Sequence, residues 1–208
     1  MRKLTIILFS ICLITNLAFS QKRKSKHDNI IVIETRFGEM HVVLFDETPL
    51  HKENFIKLSR EGFYNNTTFH RAIKNFMIQG GDPNSKDSIP GNEGQGGPGY
   101  TLEHEIKEGL KHEKGSVAAA RLGDNINPKR ESNGSQFYIV HSSSGTPHLD
   151  GAYTVFGKVV KGLEVIDAIA EQKTVGANKP KEDITMTMKV LRLPKKKITK
   201  LYGYEYTK

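Results

Sequence analysis

The sequence predicts a mainly β protein: a closed, eight-stranded antiparallel β-barrel capped by two α-helices, spanning residues 29–193. Three observations carry that expectation. Runs rich in Val, Ile and Phe recur about eight times, each bounded by Gly, Pro or Asn turn signals. Only two stretches keep the apolar spacing of a helix. Strands and helices do not alternate, so antiparallel neighbours are expected and a parallel sheet is not. A barrel of this strand number fills its interior with side chains, which puts any ligand on the outer wall.

The elements follow in order. Residues 30–35 are apolar and β-branched, Phe37 and Gly38 turn, and residues 40–45 return as a hairpin partner. Thr48 and Pro49 start a helix, as N-cap and first helical residue. His51 to Arg60 continue it, with Phe55, Ile56 and Leu58 on its apolar side, and Gly62 ends it. Residues 69–73 form a strand whose Phe69, Arg71 and Ile73 share a face by alternation. Lys74 and Asn75 turn, and residues 76–79 return with Met77 and Gln79 on one face. Residues 80–99 read as an ordered Gly-rich surface loop; they lack the Gly-Lys-Ser/Thr ending of a phosphate-binding loop. Residues 100–106 pair as an edge, and 116–121 form a short Ala-rich strand. Residues 135–140 and 153–160 form two more strands, the second after a turn at Leu149, Asp150 and Gly151. Residues 163–169 form the second helix with Val165, Ile166 and Ile169 inward. Residues 184–193 form the last strand, with Ile184, Met186, Met188 and Val190 on one face.

Residues 1–20 read as a secretory signal peptide and not as part of the fold. Arg2 and Lys3 precede an apolar run, and Ala18-Phe19-Ser20 places small residues for cleavage before Gln21. The run is shorter than the roughly 20 residues of a spanning helix. The protein is therefore expected to be exported, periplasmic or secreted. Cys12, the single cysteine, lies inside this segment, so the mature chain carries no thiol chemistry and no disulfide. The formal charge of +8 falls to +6 once Arg2 and Lys3 are removed, because the segment holds no Asp or Glu. Much of that charge sits in a flexible leader, residues 21–28, and a basic C-terminal tail, residues 194–208. Both are expected to be solvated, with at most peripheral contact with an anionic membrane surface. Aromatics do not interleave the leader's basic cluster, so nucleic acid is not an expected partner. His104 and His112 lack a compact metal-ligand spacing, and neither metal nor cofactor is expected. The absence of Gly-x-Ser-x-Gly argues against a serine hydrolase.

The chemistry concentrates in residues 69–82, which put Arg71, Phe76, Met77 and Gln79 close together before Gly80 and Gly81 turn the chain away. A permanent cation, an amide and soft apolar groups describe a groove for a partly apolar, amide-containing ligand. His70 falls on the opposite face and reads as packing. A second cluster runs Asn133-Gly134-Ser135-Gln136-Phe137-Tyr138-Ile139, followed by Leu149-Asp150-Gly151 and Val155-Phe156-Gly157-Lys158-Val159.

Both clusters, in this order, resemble the signature of the cyclophilins, a class of peptidyl-prolyl cis/trans isomerases; the resemblance covers roughly residues 29–193. It implies that Arg71 is the catalytic arginine. It implies further that Phe76, Met77, Tyr138, Leu149 and Tyr153 line a proline pocket, that Gln79 and Gln136 are groove glutamines, and that the backbone at Ala120 and Arg121 binds the peptide. The implied partners are proline-containing, unfolded or flexible polypeptides, and a monomer is expected. The pattern departs at His148, where many eukaryotic members carry Trp, at Tyr153, where most carry His, and at Arg121, where many carry Asn. Loss of the large indole predicts weakened cyclosporin binding, whereas turnover rests on Arg71 and the pocket. Two functions fit: an exported folding catalyst, or a binding module of the same fold with negligible turnover. Arg71 with an intact Phe-Met-x-Gln run favours the first.

Overall fold

The computed structural model describes residues 25–206 except Ser88 and Pro90. Residues 1–20, expected to be a signal peptide, and residues 21–24 of the expected leader lie outside the described residues.

Strands β1 (His27–Thr35) and β2 (Gly38–Leu44) form the first hairpin, and α1 (Pro49–Arg60) follows. Strands β3 (Arg71–Ile73) and β4 (Met77–Gly80) form the second, turning through Asn75 at φ 61. Next come β5 (Thr101–Leu102), β6 (Ser116–Ala119), β7 (Ser132–Asn133), β8 (Phe137–Val140) and β9 (Val155–Lys161). The chain ends through α2 (Leu163–Ala170), β10 (Thr174–Val175), β11 (Lys179–Pro180), β12 (Thr187–Pro194) and α3 (Lys195–Tyr202). Eight strands make one antiparallel sheet in the order β12-β1-β2-β9-β6-β8-β4-β3; β5 pairs with β7 and β10 with β11. Ahead of the sheet's two outer strands the chain also meets itself. Phe69 N–H donates to the Ile184 carbonyl (2.9 Å), Met186 N–H donates to the Thr67 carbonyl (2.9 Å), and Thr68 bridges Thr185.

Alternation decides which side chains enter the core. Ile31, Ile33, Met40 and Val42 of the first hairpin meet Ile78, Val117, Phe137 and Ile139 on the inner face. Phe55 of α1 packs edge-on against Phe137 (5.2 Å, 84°), and α2 inserts Val165, Ile166 and Ile169, the three residues expected inward. Ile184, Met186 and Met188 are buried as the pattern of the last strand predicts.

The structure corrects several expectations. There are three α-helices among the described residues, not two: the presumed solvated tail holds α3, whose Ile198 is wholly buried. His27 and Asp28, assigned to the leader, belong to β1, and Asp28 is buried against Lys52 Nζ (2.8 Å). Phe69 does not share a face with Arg71. It lies in the inner core with Ala72, and the strand begins only at Arg71. Of residues 100–106 only Thr101 and Leu102 pair. Thr48 does not cap α1 with its side chain; its hydroxyl donates to the Phe45 carbonyl at 3.4 Å. The cap comes from Glu105, whose carboxylate accepts from Leu50 N–H (3.1 Å), His51 N–H (2.9 Å) and His51 Nδ1 (2.7 Å). A carboxylate there answers both the free amides and the positive end of the helix dipole.

Five histidines are buried, and His51, His70, His112 and His141 are the four that the pH argument concerns. Burial pushes all four below their ordinary value; nearby acids, Glu105 at His51 and Asp150 at His112 among them, only partly oppose it. A group held neutral in the fold binds protons first in the unfolded chain. Its stabilisation is therefore present above about pH 6.5, the unfolded value, and is lost as the pH falls below it. The melting temperature is expected to drop between pH 7 and pH 5, before carboxylates titrate. Melting curves at half-unit pH steps check this; a flat profile over that interval contradicts it.

Candidate active site

The site lies on the outer face of strands β3, β4, β8 and β6, where cross-strand register sets out a row. Arg71 is opposite Gln79, Gln79 opposite Tyr138, and Tyr138 opposite Ala118. Two residues along, Ile73 is opposite Met77 and Met77 opposite Val140. Because side chains alternate, Arg71, Ile73, Met77, Gln79, Tyr138 and Val140 all leave by the face opposite the core. Of these, Ile73, Met77, Tyr138 and Val140 join Val155, Phe76, Leu149 and Tyr153 in an apolar cluster separate from the inner core.

A cavity of about 120 Å³ opens in this cluster. Its walls are Arg71, Phe76, Met77, Gln79, Ala120, Arg121, Tyr138, Leu149 and Tyr153. The structure thus brings together every residue singled out from the sequence except Gln136. That residue stands one step behind, in the wall of an adjoining cleft, where Gln79 Nε2 donates to its Oε1 at 3.1 Å. The cavity suits one small ring. In a larger cleft of about 460 Å³, the lining charges Asp28, Asp46, Lys52 and Lys195 are already paired with one another. The residues singled out from the sequence gather at the smaller cavity and not at this cleft.

Arg71 is half-buried at this cavity, and its Nη1 donates to Gln79 Oε1 at 3.4 Å. Behind it runs a chain of amides. Gln79 meets Gln136, and Gln136 Nε2 donates to the Gly96 carbonyl (2.8 Å) and approaches Asp82 Oδ2 (3.4 Å). Asp82 is fully buried and also accepts from the amides of Asn84, Gly94 and Gly96, so it ties the Gly-rich loop to the groove. Among the described residues no carboxylate pairs with Arg71. Its charge is held in place by neutral amides and is not cancelled.

The wall opposite is built by Arg121. Its side chain is only 5% exposed, so it does not reach out to a ligand. Nε donates to the Ala152 carbonyl (2.9 Å), Nη1 donates to Asp124 (2.6 Å), and the guanidinium lies 4.4 Å from the Tyr153 ring centre. Tyr153 stands edge-on to Tyr138 at 5.9 Å. Ala120 offers little free backbone. Its N–H donates to the Gln136 carbonyl and its carbonyl accepts from Asn133 N–H. His148 lies outside the cavity wall, stacked on Phe76 (5.8 Å, 24°).

Sequence reasoning missed the supports of this site. Asp82 closed the Gly-Gly-Asp string, but its loop contacts span 14 residues. His141 Nδ1 accepts from Asn75 N–H (2.8 Å), holding the turn of the Arg71 hairpin, and nothing in the local pattern around His141 marks it. His112 appeared only as a poor metal ligand.

The fold and this groove set a small cavity with apolar walls beside a fixed, uncancelled cation. The chain matches the family described as "Cyclophilin type peptidyl-prolyl cis-trans isomerase/CLD" over residues 30–190. It is 38% identical over 161 residues to peptidyl-prolyl cis-trans isomerase CYP18-1 of Arabidopsis thaliana, covering 75% of this chain and 91% of that one. It is 39% identical over 167 residues to peptidyl-prolyl cis-trans isomerase-like 2 of Rhizopus delemar, covering 78% of this chain but only 28% of that longer protein. The crystal structure of a Cryptosporidium parvum cyclophilin type peptidyl-prolyl cis-trans isomerase superposes with a TM-score of 0.69 at 33% identity, over 79% of this chain and 98% of that one. A second structure of that protein was obtained in the presence of the dipeptide Ala-Pro. The chain belongs to the cyclophilin-type peptidyl-prolyl cis-trans isomerase family.

Proposed function

We propose that the chain accelerates Xaa-Pro rotation in exported, still unfolded or flexible proteins, with Arg71 donating to the prolyl nitrogen. The uncancelled Arg71 guanidinium at the edge of a ring-sized apolar cavity carries this proposal. Amide resonance sets a rotation barrier of about 18–20 kcal/mol, and Xaa-Pro exchange takes tens to hundreds of seconds uncatalysed. As the bond twists, the nitrogen lone pair decouples from the carbonyl and becomes a hydrogen-bond acceptor. A guanidinium is charged at every relevant pH and keeps a fixed planar fork. Fixed by Gln79, it meets that lone pair only in the twisted state, which is the condition for lowering the barrier. Phe76, Met77, Leu149 and Tyr138 hold the ring and exclude water, so one side of the bond turns while the other stays. No bond is broken, so the step needs no nucleophile.

The eight-stranded sheet is proposed to close into a barrel, supported by the Phe69–Ile184, Thr67–Met186 and Thr68–Thr185 contacts between its two ends. The proposed monomer acts outside the cytoplasm, which rests on the signal-like residues 1–20. Turnover is tested on the mature chain by exchange spectroscopy with an Ala-Pro peptide. Mass analysis of the native N-terminus is expected to show Gln21 or its cyclised form. Retained Met1 on membrane-bound protein would overturn export and release.

A further inference from the structure

Three side chains run from the surface to the back of the ring cavity, and only the last of them touches it. Asp150 is one-fifth exposed, His112 is fully enclosed and Tyr138 forms the cavity wall. Asp150 Oδ1 accepts both from His112 Nδ1 (2.7 Å) and from His112 N–H (2.9 Å). His112 Nε2 lies 2.9 Å from the Tyr138 hydroxyl. These distances assign the protons. A carboxylate only accepts, so Nδ1 carries the ring hydrogen; Nε2 of the neutral imidazole is then the acceptor, and Tyr138 donates. Burial keeps the imidazole neutral against the pull of Asp150, and burial raises the Tyr138 phenol, so the tautomer and the donor both persist at neutral pH. The imidazole also lies parallel to the Tyr138 ring (6.0 Å, 10°). The histidine itself is clamped. Its carbonyl accepts from Thr146 N–H (2.8 Å), and Gly145, at φ +71, passes so close that a Cβ would sit 2.5 Å from that carbonyl oxygen.

We propose that Asp150 and His112 are positioning residues that hold the Tyr138 ring as a rigid wall of the proline pocket, setting affinity for the prolyl ring without touching it. The proposal rests on the isomerase reading of that pocket. The physical reason is the phenol. A hydroxyl buried beside an apolar pocket must find an acceptor. His112 supplies one on the side away from the groove. Without it, the hydroxyl reaches water only by swinging toward the cavity mouth, into the space the prolyl ring needs.

The test is a double-mutant cycle read as separate kcat and KM. His112→Leu keeps an apolar body and removes the acceptor; it is expected to raise KM by about tenfold with kcat changed less than about threefold, the scale of one orphaned buried hydroxyl. In the Tyr138→Phe background, where nothing needs the acceptor, the same His112→Leu step is expected to cost under about twofold, as coupled partners require. An equal penalty in both backgrounds, or none in the first, overturns the proposal. Should His112→Leu not fold, nitrogen-15 shifts of wild-type His112 decide: Nδ1 protonated and Nε2 bare is required, and the reverse tautomer overturns it. A wild-type chain without Xaa-Pro turnover would overturn the isomerase reading, and this proposal with it; turnover combined with an uncoupled cycle would sink this proposal alone.

Discussion

Arg71→Ala is expected to slow Xaa-Pro exchange by at least about a hundredfold, the effect of removing one preorganised donor from a site that develops charge or a lone pair. Little else should change. Arg71 is half-buried on the outer face and makes one long contact, 3.4 Å, with Gln79, so stability should fall by less than about 1 kcal/mol. In the proposed mechanism the prolyl ring is held by Phe76, Met77 and Leu149, so KM should move far less than kcat. Arg71→Lys should recover only part of the loss, because an ammonium on a flexible stem does not reproduce the planar fork that Gln79 orients. The measurement is exchange spectroscopy on a short Xaa-Pro peptide, which reports both isomers directly, beside a thermal melt of each variant. Wild-type turnover in Arg71→Ala would remove the guanidinium from the mechanism and leave ring desolvation alone to explain catalysis.

Ile198→Ala is expected to destabilise the fold by about 2–4 kcal/mol, the range for truncating a fully enclosed aliphatic side chain. Ile198 is 0% exposed and packs with Ile30, Val32 and Val43 on the outer face of the first hairpin, beside Tyr202, Tyr204 and Tyr206. The surrounding contacts leave that site little room to collapse. Tyr202 Oη lies 2.9 Å from His41 Nδ1, Lys195 Nζ pairs with Asp46 (3.0 Å), and Thr199 Oγ1 donates to the Tyr204 carbonyl (2.7 Å). Leu201→Ala, at a position 55% exposed on the same helix, is expected to cost under about 1 kcal/mol and serves as the control. Urea unfolding of the three proteins separates the cases. An unchanged midpoint for Ile198→Ala would mean that residues 195–202 are the solvated tail their lysines imply.

What the sequence determined by itself was local. Alternation within residues 76–79 puts Met77 and Gln79 on one face, and the same rule makes Ile184, Met186 and Met188 core. Apolar spacing in residues 163–169 selects Val165, Ile166 and Ile169. Lys74 and Asn75 announce a turn because Asn tolerates positive φ, and the structure has it at 61°. Each of these depends on neighbours within one turn or one hairpin. The resemblance carried by residues 69–82 and 133–159 added the groove residues as a set, and all but Gln136 line one cavity.

What only the tertiary structure decided concerns groups far apart in sequence. Thr48 is the N-cap residue its position implied, but the side chain that answers the first amides of α1 is Glu105, from 54 residues away. A carboxylate satisfies two free amides at once, and no local rule measures that competition. Phe69 leaves the strand face it was assigned because its amide bonds to Ile184, 115 residues on, before β3 begins. The three lysines that open α3 look solvated because charge dominates a linear reading. The β1–β2 hairpin has apolar residues on its outer face too, and Ile198, with Tyr202, Tyr204 and Tyr206 beside it, covers them. His112 carried no readable signal for the same reason. Its meaning depends on Asp150 on one side and Tyr138 on the other, 38 and 26 residues away. Side-chain hydrogen bonds act over a few ångströms whatever the chain separation, so the supports of a site become legible only once the chain has folded.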